Sequence, residues 1–276
     1  MKRVVSKLKR HKKLILTIAL MKISIITLLY LLLFAVPIPA IDVLDDYEYI
    51  KGAHRGDSIK YKENTLEAIS AAVESPEYAF VEFDVQYTKD KKRIVYHDGN
   101  LFRMEGLTNN VRKLNYKKLQ SLTHVEIPLY KDVMDIIGDK KKINIEIKSQ
   151  GNFKEDKELL HFIVKDITER GVRKNVLISS VSGDIVKYSK KKYPDIKTGK
   201  VDWIIPSTYL PFDFTTKKLY ENIEELDADY VMLYSANIYN INDLIEQKPK
   251  DKILVFWYLR TDEMYIMKID ETDTIW

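Results

Sequence analysis

The chain has 276 residues, of which 45% are hydrophobic and 31% charged, so it can build the core of one large or two small globular domains. It contains no cysteine, which excludes a disulfide framework, a thiolate metal site and a cysteine nucleophile. Eight of its 45 Lys and Arg lie in the first 40 residues, which contain none of its 41 Asp and Glu. The other 236 residues therefore carry 37 basic and 41 acidic side chains. This slightly acidic balance gives no electrostatic case for nucleic-acid binding.

The N-terminus is typical of a single-pass membrane anchor. A basic tail, residues 1–13, precedes an apolar segment, residues 14–40, which is broken only by Lys22 and is long enough to cross a bilayer. An acidic linker, residues 41–48, follows, so the charge asymmetry predicts a cytoplasmic N-terminus and an extracytoplasmic remainder. Two alternatives stay open: a cleaved signal peptide, for which Pro37–Ala40 is a poor cleavage site, and the last span of a larger membrane region.

From residue 49 onward, short apolar runs alternate with amphipathic ones. This alternation predicts a parallel sheet covered by helices, and the number of units favours a TIM-type (β/α)8 barrel over residues 49–276. The predicted strands are 49–53, 80–85, 93–96, 143–147, 176–178, 196–201, 230–233, 253–257 and, as a partial strand, 273–276. The predicted helices are 64–73, 116–122, 131–137, 154–170, 185–192, 216–226 and 241–246.

The predicted barrel departs from regularity at two places. The stretch between Val85 and Ile94 is too short for a crossover helix, so strands 2 and 3 cannot form a normal βαβ unit. The chain stops at Trp276, where the last strand should be forming, which predicts an irregular or incomplete closure. An incomplete barrel would expose a strand edge and lower stability.

Carboxylates interrupt two of the apolar strands. Glu82 and Asp84 share one face of the second strand, and burying them requires a neutralising partner such as Mg²⁺ or Ca²⁺. Asn144, Glu146 and Lys148 share one face of a later strand, where we expect the third carboxylate to complete a metal site and the lysine to contact phosphate or balance charge. The alternative is a pair of strands whose carboxylates face water or pair with lysine.

Two histidines follow strands. His54 is followed by Arg55, a fixed fork of donors suited to phosphate oxygens, and by Gly56, which permits a sharp turn. His97 follows the third strand. Two histidines beside a metal and an arginine suit proton transfer at a phosphodiester, although each motif alone is more often structural.

In order and spacing, these motifs resemble the glycerophosphodiester phosphodiesterase family over about residues 50–265. The matching residues are His54-Arg55-Gly56, Glu63-Asn64-Thr65 with Ala68, Glu82-Phe83-Asp84, Thr88-Lys89-Asp90, His97-Asp98 with Leu101 and Arg103, Glu146-Ile147-Lys148, Ser179-Ser180 and Trp257. The resemblance implies a phosphatidylinositol-phospholipase-like barrel that cleaves glycerophosphodiesters to glycerol phosphate and an alcohol. A neighbouring glycerol hydroxyl would attack phosphorus, and water would then open the cyclic ester.

The resemblance also implies a role for each site residue. It implies His54 and His97 as the acid–base pair, Arg55 and Lys148 as phosphate contacts, one divalent cation on three carboxylates, and two supporting residues. The cation ligands are Glu82, Asp84 and Glu146, and the supporting residues are Glu63 and Trp257. The expected partners are a glycerophosphodiester or glycerophosphate-polymer substrate and, through the N-terminal helix, a lipid bilayer; the sequence identifies no protein partner.

Three features depart from the family pattern. Lys62 stands where a proline usually precedes the Glu-Asn-Thr element, residues 258–260 replace the usual Thr-Val-Asn after Trp257, and the closing Gly-Val-Asp-Gly and Thr-Asp element is not recognisable. Two other functions therefore stay open. One is a phospholipase acting on intact lipid through the aromatic-rich loop 203–212, and the other is an inactive membrane-tethered binding module.

Overall fold

We analysed a computed structural model of the chain, which forms two compact units, Met1–Asp42 and Val43–Trp276. The residues that the structure describes are 15–29, 46–202, 213–258, 263–271 and 273–276. In the first unit, residues 15–29 are helical and their apolar side chains are exposed. None of the helices in these described ranges has the length and apolar character to span a membrane, and residues 14 and 30–40 of the predicted anchor lie outside them.

The second unit is an α/β barrel, as the alternating pattern predicts. Its strands are β1 (Tyr49–Ala53), β2 (Phe80–Tyr87), β3 (Arg93–Val95), β4 (Lys142–Ile147), β5 (Val176–Ser180), β6 (Lys197–Asp202), β7 (Tyr230–Tyr234), β8 (Ile253–Trp257) and β9 (Glu263–Met267). The helices are α1 (Leu66–Glu74), α2 (Phe102–Glu105), α3 (Tyr116–Gln120), α4 (Tyr130–Ile137), α5 (Phe153–Glu169), α6 (Gly183–Lys192), α7 (Asp213–Leu226) and α8 (Ile241–Glu246). Of these, β9 and the short α2 were not predicted.

The barrel is closed by β9, so the expectation of an open strand edge is wrong. β1 pairs in parallel with β2, the chain continues through parallel pairs from β2 and β4 to β8, and β9 runs antiparallel to both β8 and β1. Met264 and Ile266 of β9 pack into the barrel interior. This burial of apolar side chains stabilises β9 although it runs opposite to its neighbours β8 and β1. Closure in this way leaves no exposed edge on β1.

Residues 273–276 do not form the predicted partial strand. The indole of Trp276 donates a hydrogen bond to the carbonyl of Asn175 at 2.7 Å and packs edge-on against Phe80 and Tyr230. These residues lie at or beside the N-terminal ends of β5, β2 and β7, so Trp276 covers the end of the barrel opposite the carboxyl ends of the strands.

The predicted irregularity near strands 2 and 3 is confirmed. β3 turns back and pairs antiparallel with the C-terminal part of β2, with Val95 opposite Val85. The hairpin allows the chain after β3 to return towards the middle of β2, where the amide of Tyr96 donates to the carbonyl of Asp84 at 3.1 Å. His97 is thereby brought beside the carboxylates of β2.

Asp229, just before β7, ties several elements together at the other end of the barrel. Its carboxylate accepts hydrogen bonds from the ammonium groups of Lys190 and Lys197 at 2.8 and 3.0 Å and from the amide of Thr198 at 2.9 Å. Burial opposes ionisation, but these donors hold the pKa of Asp229 below its usual value.

We expect Asp229→Asn to lower the free energy of unfolding by about 1–3 kcal/mol at neutral pH, because charge-assisted hydrogen bonds are lost. Since the folded-state pKa is depressed, the wild-type advantage is present above the unfolded-state pKa and is lost as pH falls through the folded one. Denaturant titrations from pH 7 towards pH 3 should show the two proteins converging. Asp227→Asn, at a neighbouring exposed carboxylate, is the control and should differ little from wild type; a constant gap for Asp229→Asn would contradict the assignment.

Candidate active site

All nine residues that the sequence singled out lie together at the carboxyl ends of the barrel strands. One cavity is lined by seven of them, namely His54, Arg55, Glu82, His97, Glu146, Lys148 and Trp257. Asp84 is fully buried beside Glu82, and Glu63 contacts Arg55 at the side of the cavity. The structure therefore assembles the whole predicted set, because parallel strands bring their carboxyl ends to one rim.

Three buried carboxylates form the centre of this site. β2 and β4 pair in parallel with Asp84 opposite Glu146, and Glu82 lies two residues before Asp84 on the same face. One oxygen from each of Glu82, Asp84 and Glu146 lies within 4.8 Å of the others. Burial, together with the charges of Asp84 and Glu146, raises the pKa of Glu82 well above its usual value. The apolar barrel alone would therefore not keep all three carboxylates ionised.

Lys148 supplies part of the compensating charge. Its ammonium group donates to Glu146 Oε1 at 2.6 Å and lies 3.0 Å from Asp84 Oδ1. Burial works against the ammonium charge, but the two carboxylates outweigh it and raise the pKa of Lys148. Burial also opposes the charge of Asp84, whose pKa is nevertheless held below its usual value, chiefly by Lys148.

The triad fits a hard divalent cation. Its ligand atoms are all carboxylate oxygens, the type that Mg²⁺ and Ca²⁺ prefer. Glu82 Oε1 is buried and has no hydrogen-bond partner within the described ranges, so it offers a free lone pair at the centre of the site. If all three were ionised, the carboxylates would outnumber the adjacent cations Arg55 and Lys148 by one, and a divalent cation would more than offset this excess.

A sharp turn after β1 directs two residues into the site. Arg55 has a φ of 60° and Gly56 a φ of 80°, both in the left-handed region. In this conformation the amide of Arg55 donates to Glu82 Oε2 at 2.8 Å, and the amide of Gly56 donates to the carbonyl of Glu82 at 3.2 Å. A Cβ atom on Gly56 would lie 2.6 Å from the carbonyl carbon of Ala68, so only glycine fits here.

His54 is buried at the end of β1, with its ring 6.0 Å from that of Trp257. Burial first, and then the charge of Arg55, holds the pKa of His54 well below its usual value, so the imidazole is neutral near pH 7. Its Nδ1 has no hydrogen-bond partner in the part of the chain that the structure describes, and its Nε2 lies 3.9 Å from Glu82 Oε2. A neutral imidazole with a free nitrogen in a cavity can accept a proton.

The side chain of Arg55 is held between two carboxylates. Its Nη1 donates to both oxygens of Glu63, at 3.0 and 3.1 Å, and its Nε lies 3.5 Å from Asp84 Oδ2. Asn64 fixes the same oxygen of Asp84 through a 2.8 Å hydrogen bond from Nδ2 and accepts one from the amide of Asp84. Asp84 and Arg55 are therefore oriented before any ligand binds.

Arg103 connects the two corners of the site that carry the histidines, namely His54-Arg55 after β1 and His97-Asp98 after β3. Asp98 Oδ1 lies 2.7 Å from His97 Nδ1, which leaves the other ring nitrogen, Nε2, free of that bond. Arg103 donates from Nε to Asp98 at 2.7 Å and from both terminal nitrogens to Glu63, at 2.8 and 2.5 Å. Because Glu63 also holds Arg55, one arginine from outside the cavity supports both corners.

Sequence reasoning gave no role to Asn64, Asp98 or Arg103. All three lie in the motif stretches, and Asn64 was assigned only to the start of a helix, whereas it adopts a left-handed φ of 57° and points at Asp84. The adjacency of Asp98 to His97 was the available signal for an orienting carboxylate. No local pattern signalled that Arg103 would reach Glu63, forty residues away.

A family model for glycerophosphoryl diester phosphodiesterases matches residues 54–274. The chain belongs to this family. A crystal structure of a family member from Thermotoga maritima has a TM-score of 0.57 and 30% identity, covering 75% of this chain and 84% of that one. A phosphodiesterase from Oleispira antarctica, solved with the product sn-glycerol-3-phosphate, superposes with a TM-score of 0.60 over 77% of this chain and 85% of that one at 20% identity, which shows a shared fold.

Curated relatives are similar over part of their length. A glycerophosphodiester phosphodiesterase of Caldanaerobacter subterraneus is 34% identical over 158 residues, which are 53% of this chain and 64% of that protein. The mouse protein named lysophospholipase D GDPD3 is 28% identical over 55% of this chain and 48% of its own length. The match thus spans less than two thirds of the length of these two relatives.

We expect Gly56→Ala to lower the free energy of unfolding by about 2–5 kcal/mol, because it adds a steric clash with the α1 backbone to the cost of a left-handed alanine. Gly171→Ala is the matched control, since Gly171 has a similar φ of 73° but open space around its Cβ. Chemical denaturation should give a loss of about 1 kcal/mol for the control. Equal losses in the two variants would contradict the close approach described above.

Proposed function

We propose that the chain hydrolyses glycerophosphodiesters to glycerol phosphate and an alcohol, using one divalent cation and the two histidines. The observation that carries the proposal is the convergence of three carboxylates, two cationic side chains and two histidines at one cavity, which all of them except the buried Asp84 line. Membership of the phosphodiesterase family supports the same reaction. The set retains every residue type that the reaction requires, which argues against an inactive binding module.

Glu82, Asp84 and Glu146 would hold the cation, which, when bound, neutralises charge on the phosphate and favours ionisation of the attacking hydroxyl. Arg55 and Lys148 lie beside the carboxylates and would contact the phosphate oxygens while keeping their present partners. With a divalent cation in place, the three ligand carboxylates, Arg55 and Lys148 would sum to one positive charge, which matches a singly charged phosphodiester.

The two histidines differ in their surroundings, and this difference assigns their roles. His54, neutral and with an Nδ1 that no described residue hydrogen-bonds, would accept the proton of the neighbouring glycerol hydroxyl as the hydroxyl oxygen bonds to phosphorus. His97, held through Nδ1 by Asp98, would donate a proton to the leaving oxygen as its bond to phosphorus breaks. In the second step the same groups act in reverse, and water opens the cyclic ester.

A second candidate substrate is a lipid that keeps one acyl chain. Ile59, Tyr61 and Phe102 are 54%, 46% and 64% exposed; the first two belong to the segment that carries Glu63, and Phe102 belongs to α2, which carries Arg103. Relatives named lysophospholipase D support this candidate. The aromatic-rich loop predicted for such a role, residues 203–212, lies outside the described residues. Comparing deacylated with monoacylated substrates separates the two candidates.

We further propose that residues 14–40 anchor the enzyme as a single-pass membrane protein with the barrel extracytoplasmic. The basic tail, the apolar run and the acidic linker support this topology, and the exposed apolar side chains of residues 15–29 are compatible with a lipid environment. Protease protection of the full chain in intact cells, compared with a chain lacking residues 1–40, tests it. Protection of the barrel from external protease would contradict the topology.

For the reaction, we expect His54→Ala to lower the release of glycerol phosphate from glycerophosphocholine by about 10²–10⁴-fold, because the proton acceptor is lost. A chelator should abolish the reaction, and added Mg²⁺ or Ca²⁺ should restore it. His124→Ala is the control, since His124 is 85% exposed and contacts Glu105 away from the cavity. Activity that survives both His54→Ala and the chelator would contradict the mechanism.

We expect Arg103→Met to lower kcat about 10–100-fold while KM changes little, because the charge-assisted bonds that orient Asp98 and Glu63 are lost. Arg103→Lys should recover part of kcat, since it restores the charge without the bidentate geometry. Lys117→Met, at an exposed residue of α3, is the control. Wild-type kcat in a folded Arg103→Met protein would contradict the positioning role.

A further inference from the structure

A second, larger cavity opens directly beside the candidate active site. The two cavities share His97, Glu146, Lys148 and Val181 as lining residues. The first has a volume of about 40 Å³, room for about three waters or a three-carbon unit. The second is an open groove of about 680 Å³. The site is therefore asymmetric, with space for a small group on one side and a much larger one on the other.

We infer that this groove holds the leaving alcohol of the substrate and selects a hydroxyl-rich polyol. The inference rests on the proposed function, in which His97 protonates the leaving oxygen. Because His97 lies on the boundary between the two cavities, the group attached to that oxygen extends into the groove. The glycerol unit that is retained occupies the small cavity, against Trp257 and Met232.

Most of the residues that line the groove carry polar side chains. One wall is formed by the chain after β3, including Gly99, Asn110 and Arg112, and the other by the chain after β4 and β5, including Gln150 and Ser182. Among the described lining residues, the aliphatic side chains are those of Ile147 and Val181. A polyol can exchange hydrogen bonds with these polar side chains, whereas an acyl or cyclic hydrocarbon group would remove water from them without compensation.

Hydrogen bonds between the walls hold the groove in shape. Gln150 Nε2 donates to the carbonyl of Tyr87 at 2.8 Å and to Gln86 Oε1 at 3.3 Å. Gln86 Nε2 in turn donates to the carbonyls of Tyr96 and Asp98, at 2.6 and 3.0 Å. Arg112 crosses to the opposite wall and donates to the carbonyl of Gln150. The side chains of Gln86, Gln150 and Arg112 are thus fixed before the substrate binds, which favours specificity.

Three esters of glycerol phosphate test the inference. Glycerophosphoinositol carries a polyol ring, glycerophosphocyclohexanol carries a ring of the same size without the additional hydroxyls, and the methyl ester barely enters the groove. We expect kcat/KM for the inositol ester to exceed that for the cyclohexyl ester by more than tenfold. Because inositol is intrinsically the better leaving group, the change in this ratio between variants is the decisive measurement.

Arg112→Ala should lower the inositol-to-cyclohexyl ratio by about tenfold, whereas Lys113→Ala, at the neighbouring exposed residue, should leave it unchanged. Gly99→Phe is the second variant, since a Cβ at Gly99 meets nothing within 4 Å, and the ring should take up part of the groove that Gly99 lines. It should lower kcat/KM for the inositol ester more than for the methyl ester. An unchanged inositol-to-cyclohexyl ratio in folded Arg112→Ala, together with an unchanged inositol-to-methyl ratio in folded Gly99→Phe, would overturn the inference but leave the proposed function standing. If the wild-type protein cleaves none of the esters, the proposed function itself fails.

Discussion

The mutual repulsion of three buried carboxylates is the constraint on which the rest of the site depends. Glu82, Asp84 and Glu146 approach within 4.8 Å at the carboxyl ends of two paired strands, where burial alone would force them to neutralise. Lys148 and Arg55 offset part of this charge, and a divalent cation would offset the remainder. Much of the surrounding hydrogen bonding holds these groups in place.

The barrel provides the rigidity that such a charged centre requires. Its strands fix the register of the carboxylates, the left-handed turn after β1 brings the backbone of Arg55 onto Glu82, and the β2–β3 hairpin returns His97 to the same rim. The outer chain of ion pairs through Arg103 then links the two corners without entering the cavity. Catalytic groups on short, bonded segments are held more precisely than groups on free loops.

The carboxylates at the centre of the site could be predicted from the sequence, but the ion pairs that hold the surrounding residues in place could not. Glu82, Asp84 and Glu146 could be found because polar residues on one face of an apolar strand are costly, and parallel strands bring such faces together. The contact between Arg103 and Glu63 could not be found, because it joins side chains forty residues apart. β9 was missed for a related reason: all five residues are buried, so no alternation marks it, and its antiparallel pairing to β1 and β8 follows from closure of the barrel.

The most direct test of the central claim is anomalous diffraction from crystals of the protein grown with Mn²⁺, a scattering substitute for the harder divalent cations. The account predicts one strong peak bound by oxygens of Glu82, Asp84 and Glu146, in the cavity that His54 and His97 line. An ion bound elsewhere, or a triad that keeps only Lys148 as its partner at saturating Mn²⁺, would contradict it.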